Sequence, residues 1–281
     1  YLMSIVSPDV SVINNIAAAH LEGLGSEEGI AREKGSIYEG LKQNGVAVVN
    51  ADMPYDSIWQ PLIADRKTIR FALQNNADIY AEYIQPEPAS SHFLVHIDGV
   101  NHHMTLPLPG LHNVSNALAA IAVSVALDIP VDAVVRGLNK IQAVPHRLQM
   151  RKGLSDSRLI DDTYNANPGS YLRALETLAG FQEPRWLVLG DFGELGEEAD
   201  AIHQTMGLQA KSAGVTTLFT VGEKSQLAAA AFGDNAIHFE DVQTLQQLLQ
   251  NTLTADVTCL IKGSRFMQLD KLADALVAEA Q

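Results

Sequence analysis

At 281 residues, 47% hydrophobic and 19% charged, the chain has a globular composition with room for two cores, and no apolar run approaches the roughly 20 residues that span a bilayer. A net charge of −14 excludes broad binding to nucleic acid or to an anionic membrane, because either needs a basic surface, while leaving room for a local site for a phosphorylated small molecule. Cys259 is the only cysteine, so no internal disulfide forms, and its Val-Thr-Cys-Leu-Ile setting reads as a buried strand in a reducing, cytoplasmic compartment.

Residues 1–6 read as the end of a helix and 10–13 as a buried strand; a sheet that opens this way suggests a fold entered partway through. Residues 16–21, with His20, follow as a loop or short helix. Ser26 with Glu27 and Glu28 then caps a helix that carries Lys34 and ends at Asn44-Gly45. The strand 46–49 closes on Asn50-Ala-Asp52, so the first strands finish in polar residues, as strands around an α/β ligand site do. Residues 57–65 read as helical and 69–73 as extended. Short alternating segments from 78 to 108, with Asp98-Gly99 as a hairpin turn, predict antiparallel strands on which His96, His102 and His103 are exposed. Leu111 opens an alanine-rich helix to Leu127. Asn113 and Asn116 share a face of its first turn, where their amides suit the edge of a nucleobase, although helix capping explains one of them equally well. Residues 131–138 form a further helix.

The stretch 144–170 reads as a hinge that carries chemistry. Arg147 offers a planar cation suited to phosphate, and Leu159-Ile160 reads as a strand end that delivers Asp161 and Asp162 into a loop closing at Pro168-Gly169. Beyond it, strands at 186–189, 216–221, 237–239 and 257–261 alternate with helices at 171–178, 199–213, 227–231, 242–253 and 269–279. That alternation predicts a parallel, Rossmann-like sheet, and the missing Gly-x-Gly-x-x-Gly turn leaves nicotinamide or flavin binding unsupported.

Several stretches together resemble the Mur ligases: Asn-Asn-Ile-Ala-Ala-Ala-His-Leu-Glu-Gly (14–23), Ala-Arg-Glu-Lys-Gly-Ser-Ile-Tyr (31–38), Leu-Pro-Gly-Leu-His-Asn-Val-Ser-Asn-Ala-Leu-Ala-Ala (108–120), Val-Pro-His-Arg-Leu (144–148), Asp-Asp-Thr-Tyr-Asn-Ala-Asn-Pro-Gly-Ser (161–170), Gly-Asp-Phe-Gly-Glu-Leu-Gly (190–196) and Lys-Gly-Ser-Arg (262–265). The resemblance covers essentially the whole chain. It implies an α/β protein in which part of the central ATPase domain, residues 1–146, precedes a Rossmann-like C-terminal ligase domain, residues 147–281. It implies a cytoplasmic ATP- and Mg²⁺-dependent ligase of peptidoglycan precursor synthesis, monomeric, that joins D-alanyl-D-alanine to UDP-N-acetylmuramoyl-tripeptide through an acyl phosphate.

By the same resemblance His20 and Lys34 are metal-site and catalytic residues, Lys34 as a carbamate that turns a cation into a carboxylate-like Mg²⁺ ligand. By spacing alone, Lys34 reads as a snorkelling helix lysine. Asn113 and Asn116 match the segment that contacts adenine, with His112 orienting the turn. Arg147 matches a catalytic arginine near the nucleotide phosphates, and Asp162 the aspartate that holds the ribose hydroxyls. Asn165, Asn167, Asp191, Glu194, Ser264 and Arg265 are candidates for holding D-alanyl-D-alanine, and Lys262 reads either as a group near the acyl phosphate or as a salt-bridge partner at a strand end.

The phosphate loop, the UDP-binding domain and a further acidic metal ligand of the family lie outside these residues, so a fragment is expected, inactive alone. A folylpolyglutamate-synthase-like ligase and a non-catalytic stand-alone binding domain are the competing readings.

Overall fold

The computed structural model describes residues 2–16, 26–87 and 89–278. They fall into two compact units, Tyr1–Gln142 and Ala143–Gln281, each with one six-stranded sheet.

In the first unit β1 (Val10–Ile13), β2 (Val46–Asn50), β3 (Lys67–Ala72) and β4 (Ile79–Pro86) run parallel, and β5 (Ser91–Ile97) and β6 (Val100–Leu106) continue the sheet antiparallel, in sequence order across it. β2 is buried along its length and apolar up to Asn50, because helices cover both its faces. After the short α1 (Leu2–Val6), α2 (Glu27–Glu39) and α3 (Asp56–Ile63) place Tyr38 and Trp59 against Ala47 and Val49. On the other face α4 (Leu111–Ala126) sets Val114, Leu118 and Ile121 against Val46 and Val48, and α5 (Val131–Leu138) packs at its margin. The buried rings are also tied polarly: Tyr38 Oη donates to the Val48 carbonyl at 2.8 Å and Trp59 Nε1 to that of Ala31 at 2.9 Å. Ser26 caps α2 by accepting from the Gly29 N–H. Asp98 and Gly99, with φ of 49° and 77°, make the two-residue hairpin turn that pairs Ile97 with Val100.

In the second unit the strands are β7 (Gln149–Lys152), β8 (Arg158–Asp162), β9 (Arg185–Gly190), β10 (Thr217–Val221), β11 (Ala236–Phe239) and β12 (Thr258–Lys262), in the order β11-β10-β9-β12-β8-β7. All pairs are parallel except β7 with β8. Helices α6 (Pro168–Ala179), α7 (Ala199–Ser212) and α8 (Gln226–Phe232) cover one face, packing Tyr171, Met206 and Ala228 on Ile160, Leu187 and Leu260. Helices α9 (Val242–Thr252) and α10 (Leu269–Ala275) cover the other, packing Leu245 and Leu272 on Val188, Cys259 and Ile261. The chain steps outward from β9 to β10 and β11, then returns to lay β12 between β9 and β8. That reversal gathers the carboxyl ends of β8, β9 and β12 around the crevice in which such sheets bind ligands.

Three expectations need correction. Asp161 and Asp162 belong to β8 itself, in register with Ile261 and Lys262, because the lysine across the ladder matches the charge that would otherwise end the strand. The antiparallel edge strand β7 replaces the hinge expected over these residues, and Gln-Met-Arg-Lys has no apolar alternation that would mark it as a strand. The last helix stops at Ala275 instead of 279, because Val277 turns back to bridge Gly153. No helix among the described residues is long and apolar enough to cross a membrane.

Tyr171 is fully buried, and its hydroxyl donates to the Met206 carbonyl at 2.8 Å. Tyr171→Phe removes this bond while the Met206 carbonyl keeps its helical partner, and should lower stability by about 0.5–1.5 kcal/mol in urea unfolding, with the fold retained.

Candidate active site

Of the residues predicted for the nucleotide in the first unit, Asn113 and Asn116 lie at the start of α4, and Asn14, which reaches them, directly follows β1. Asn113 Nδ2 donates to the Pro109 carbonyl at 2.7 Å, Asn116 Nδ2 to Asn113 Oδ1 at 3.4 Å, and Asn14 Nδ2 to Asn116 Oδ1 at 2.6 Å. One backbone carbonyl thus fixes the orientation of all three amides in turn. Neither asparagine caps the helix; its N-cap is Gly110, whose φ of 88° and closeness to the His112 ring require glycine. Lys34 is exposed and donates to the Asn15 carbonyl at 3.2 Å. His20 lies outside the described residues. Of the ribbon histidines, His96 is half-buried, stacked on Tyr80 and bonded to Glu82 at 3.0 Å, so it is a packed residue.

In the second unit β8 presents two carboxylates with different partners. Asp161 is fully buried; it accepts from His146 Nδ1 at 2.9 Å, Arg151 at 2.8 Å and Thr163 Oγ1 at 2.7 Å. Arg151 also reaches Asp274 at 2.7 Å, so the His146, Asp161 and Asp274 group, compact enough to hold a cation, already contains one. Asp162 accepts from the Leu148 N–H at 3.1 Å and from Lys262 Nζ at 2.5 Å. Lys262 has no exposed side-chain surface, and its ammonium also donates to the Asn165 carbonyl at 3.2 Å. Burial pulls its pKa down, the Asp162 carboxylate opposes that, and Arg147 adds to the lowering. Of the two earlier readings of Lys262, the geometry places it in the salt bridge. Arg147 itself is exposed, its guanidinium 4.1 Å from the centre of the Tyr164 ring.

Beside this pair opens a cavity of about 440 Å³ lined by Asn165, Ala166, Gly193, Glu194, Ser264, Arg265 and Phe266. Four of the six residues predicted to hold the dipeptide therefore meet here. The Ala166 N–H donates to Asn165 Oδ1 at 2.8 Å and the Gly193 N–H to Ser264 Oγ at 2.9 Å. These bonds occupy acceptors, so the Asn165 amide hydrogens and the Ser264 hydroxyl hydrogen remain as donors alongside the Arg265 guanidinium, which Asp270 steadies at 2.9 Å. Glu194 supplies the carboxylate. Asn167 and Asp191 do not line the cavity. Asn167 caps α6 in a reciprocal bond with Ser170, and Asp191 accepts from the Lys224 and Ser225 N–H groups, which holds the loop after β10. Phe266, 62% exposed, was missed as a lining residue; its place directly after Ser264-Arg265 was the available signal. Asn14, more than a hundred residues from Asn116, gave none.

Residues 1–124 match the Mur ligase middle domain and residues 146–265 the Mur ligase, glutamate ligase domain. The chain belongs to the Mur ligase family. Among curated Mur ligases it is 38% identical to the UDP-N-acetylmuramoyl-tripeptide--D-alanyl-D-alanine ligase of Escherichia coli strain K12, over 98% of this chain and 62% of that protein. A crystal structure of MurF from Acinetobacter baumannii superposes with a TM-score of 0.88 at 31% identity, covering 98% of this chain and 61% of that one. The MurF ligase of Thermotoga maritima, crystallised with ADP, shares the fold at a TM-score of 0.84 and 23% identity, over 98% and 62% of the two chains. The chain thus spans about three fifths of the length of these Mur ligases.

The Lys262 pair sets the strongest test of the site as a built structure. Lys262→Ala leaves Asp162 at the end of β8 without its countercharge and should cost about 3–5 kcal/mol. Asp162→Asn combined with Lys262→Met should recover part of that loss in thermal unfolding.

Proposed function

We propose that the cavity beside the Lys262–Asp162 pair takes a small zwitterion, D-alanyl-D-alanine, in an ATP-dependent ligation to UDP-N-acetylmuramoyl-tripeptide. The observation that carries this reading is the division of the cavity's polar groups. Asn165, Ser264 and Arg265 offer donors for a carboxylate, Glu194 offers an acceptor for an ammonium, and the walls between them are small or aromatic. Neither nicotinamide nor a nucleobase needs that combination.

In the proposed reaction the tripeptide carboxylate attacks the γ-phosphorus of ATP, and the bond to the bridging oxygen breaks with ADP as leaving group. The amine of D-alanyl-D-alanine, having lost a proton, then attacks the acyl carbon. The amide bond forms, and the acyl oxygen bond breaks to release inorganic phosphate. In this reading the Arg147 guanidinium serves phosphate oxygens, Asp162 the ribose hydroxyls, and the amides of Asn113 and Asn116 the adenine. Glu194 orients the amine, and Arg265 with Ser264 anchors the far carboxylate, so the reacting nitrogen is held at one end of the cavity.

The proposal includes Mg²⁺ held through His20 and a carbamylated Lys34, where the ion would neutralise phosphate charge. Unmodified, Lys34 is a cation donating to a carbonyl and does not fit a metal ligand. A monomer in the cytoplasm that contacts neither membrane nor nucleic acid completes the reading, and the charge of −14 supports the last point.

The test is ADP release by the intact protein. It should require both UDP-N-acetylmuramoyl-tripeptide and D-alanyl-D-alanine, and Arg265→Ala should raise KM for the dipeptide roughly tenfold or more, the loss of a charge-assisted contact. Turnover with glutamate in place of the dipeptide would overturn the reading.

A further inference from the structure

We propose that Tyr164 is a positioning residue for Arg147, and that the turn His146–Leu148 is built to present that guanidinium to an anion. The inference rests on the reading of Arg147 as the phosphate-facing cation and adds the residues that aim it.

His146 and Leu148 both carry left-handed backbones, with φ of 62° and 45°, a conformation that side-chain-bearing residues adopt only when their surroundings impose it. The surroundings do so here from both sides of Arg147. His146 Nδ1 is bonded to the buried Asp161 at 2.9 Å, the His146 carbonyl accepts from the Tyr164 N–H at 3.0 Å, and the Leu148 N–H donates to Asp162 at 3.1 Å. β8 and the residue two places beyond it therefore hold both neighbours of Arg147.

The side chain itself is treated differently from every other cation at this end of the sheet. Arg151 bridges Asp161 and Asp274, and Lys262 is spent on Asp162. Among the described residues Arg147 has no carboxylate or carbonyl partner; its guanidinium lies 4.1 Å from the centre of the Tyr164 ring. An arginine stacked on a ring face is held without using its N–H donors, all of which lie in the guanidinium plane and stay available to a bidentate anion. Tyr164 is 46% exposed, an aromatic surface that the core does not need. It serves as the platform that keeps Arg147 extended and unpaired.

The experiment is calorimetric titration of ATP into the intact protein and into Arg147→Ala, Tyr164→Ala, Tyr164→Phe and the Arg147→Ala/Tyr164→Ala double variant. Both side chains are exposed, so each variant should fold. Arg147→Ala should weaken ATP binding, and Tyr164→Ala should weaken it roughly two- to fivefold, the range of an exposed cation–π contact. Tyr164→Phe, which keeps the ring, should regain the affinity that Tyr164→Ala loses. With Arg147 already removed, Tyr164→Ala should have no further effect, and KM for D-alanyl-D-alanine should not move. A Tyr164→Ala effect that persists undiminished without Arg147, or no effect where Arg147→Ala has one, would overturn the inference and leave the nucleotide reading standing. Unchanged ATP affinity in Arg147→Ala would overturn both.

Discussion

A lysine with no exposed side-chain surface sits at the carboxyl end of β12, and the loops around the candidate site depend on it. Desolvating an ammonium is costly unless a carboxylate and further acceptors replace the lost water. Lys262 finds Asp162 across the ladder and the Asn165 carbonyl beyond it. Asp162 in turn receives the Leu148 N–H, so one ion pair connects the turn carrying Arg147 with the loop carrying Asn165. The turn carrying Arg147 and the loop carrying Asn165 are thereby fixed to the same strand ends.

Hydrogen bonds to main-chain donors then decide what the cavity offers. An asparagine and a serine can each donate or accept, and free in water would present either role. Here Ala166 and Gly193 each take up one acceptor lone pair, which leaves the amide and hydroxyl hydrogens as donors beside a space that also contains Arg265 and Glu194. The same logic orders the amides of the first unit, where the Pro109 carbonyl sets Asn113, Asn113 sets Asn116, and Asn116 is matched by Asn14. Polarity is assigned in both places by backbone groups that the side chains themselves could not have chosen.

Much of the architecture was legible in the residues, because the buried strands are continuous apolar runs and the hairpin turn is Asp-Gly. The parts that were not legible share a cause: they depend on partners distant in sequence. β8 runs through two aspartates only because Lys262, 100 residues on, lies beside the second. β7 exists because β8 offers an edge. Within the candidate site, the resemblance named six residues together, and nothing in their types separates Asn165, Glu194, Ser264 and Arg265, which meet at the cavity, from Asn167 and Asp191. A cap and a loop anchor use the same amide and carboxylate chemistry as a binding site, and only the partners tell them apart.

The central claim is that the cavity reads both ends of a zwitterion. Its most direct test compares D-alanyl-D-alanine with its C-terminal carboxamide as acceptors for the intact protein, because the amide lacks the negative charge that Asn165, Ser264 and Arg265 are proposed to meet. A loss of roughly tenfold or more in kcat/KM for the carboxamide is the predicted result. Equal kcat/KM for the two would contradict the account.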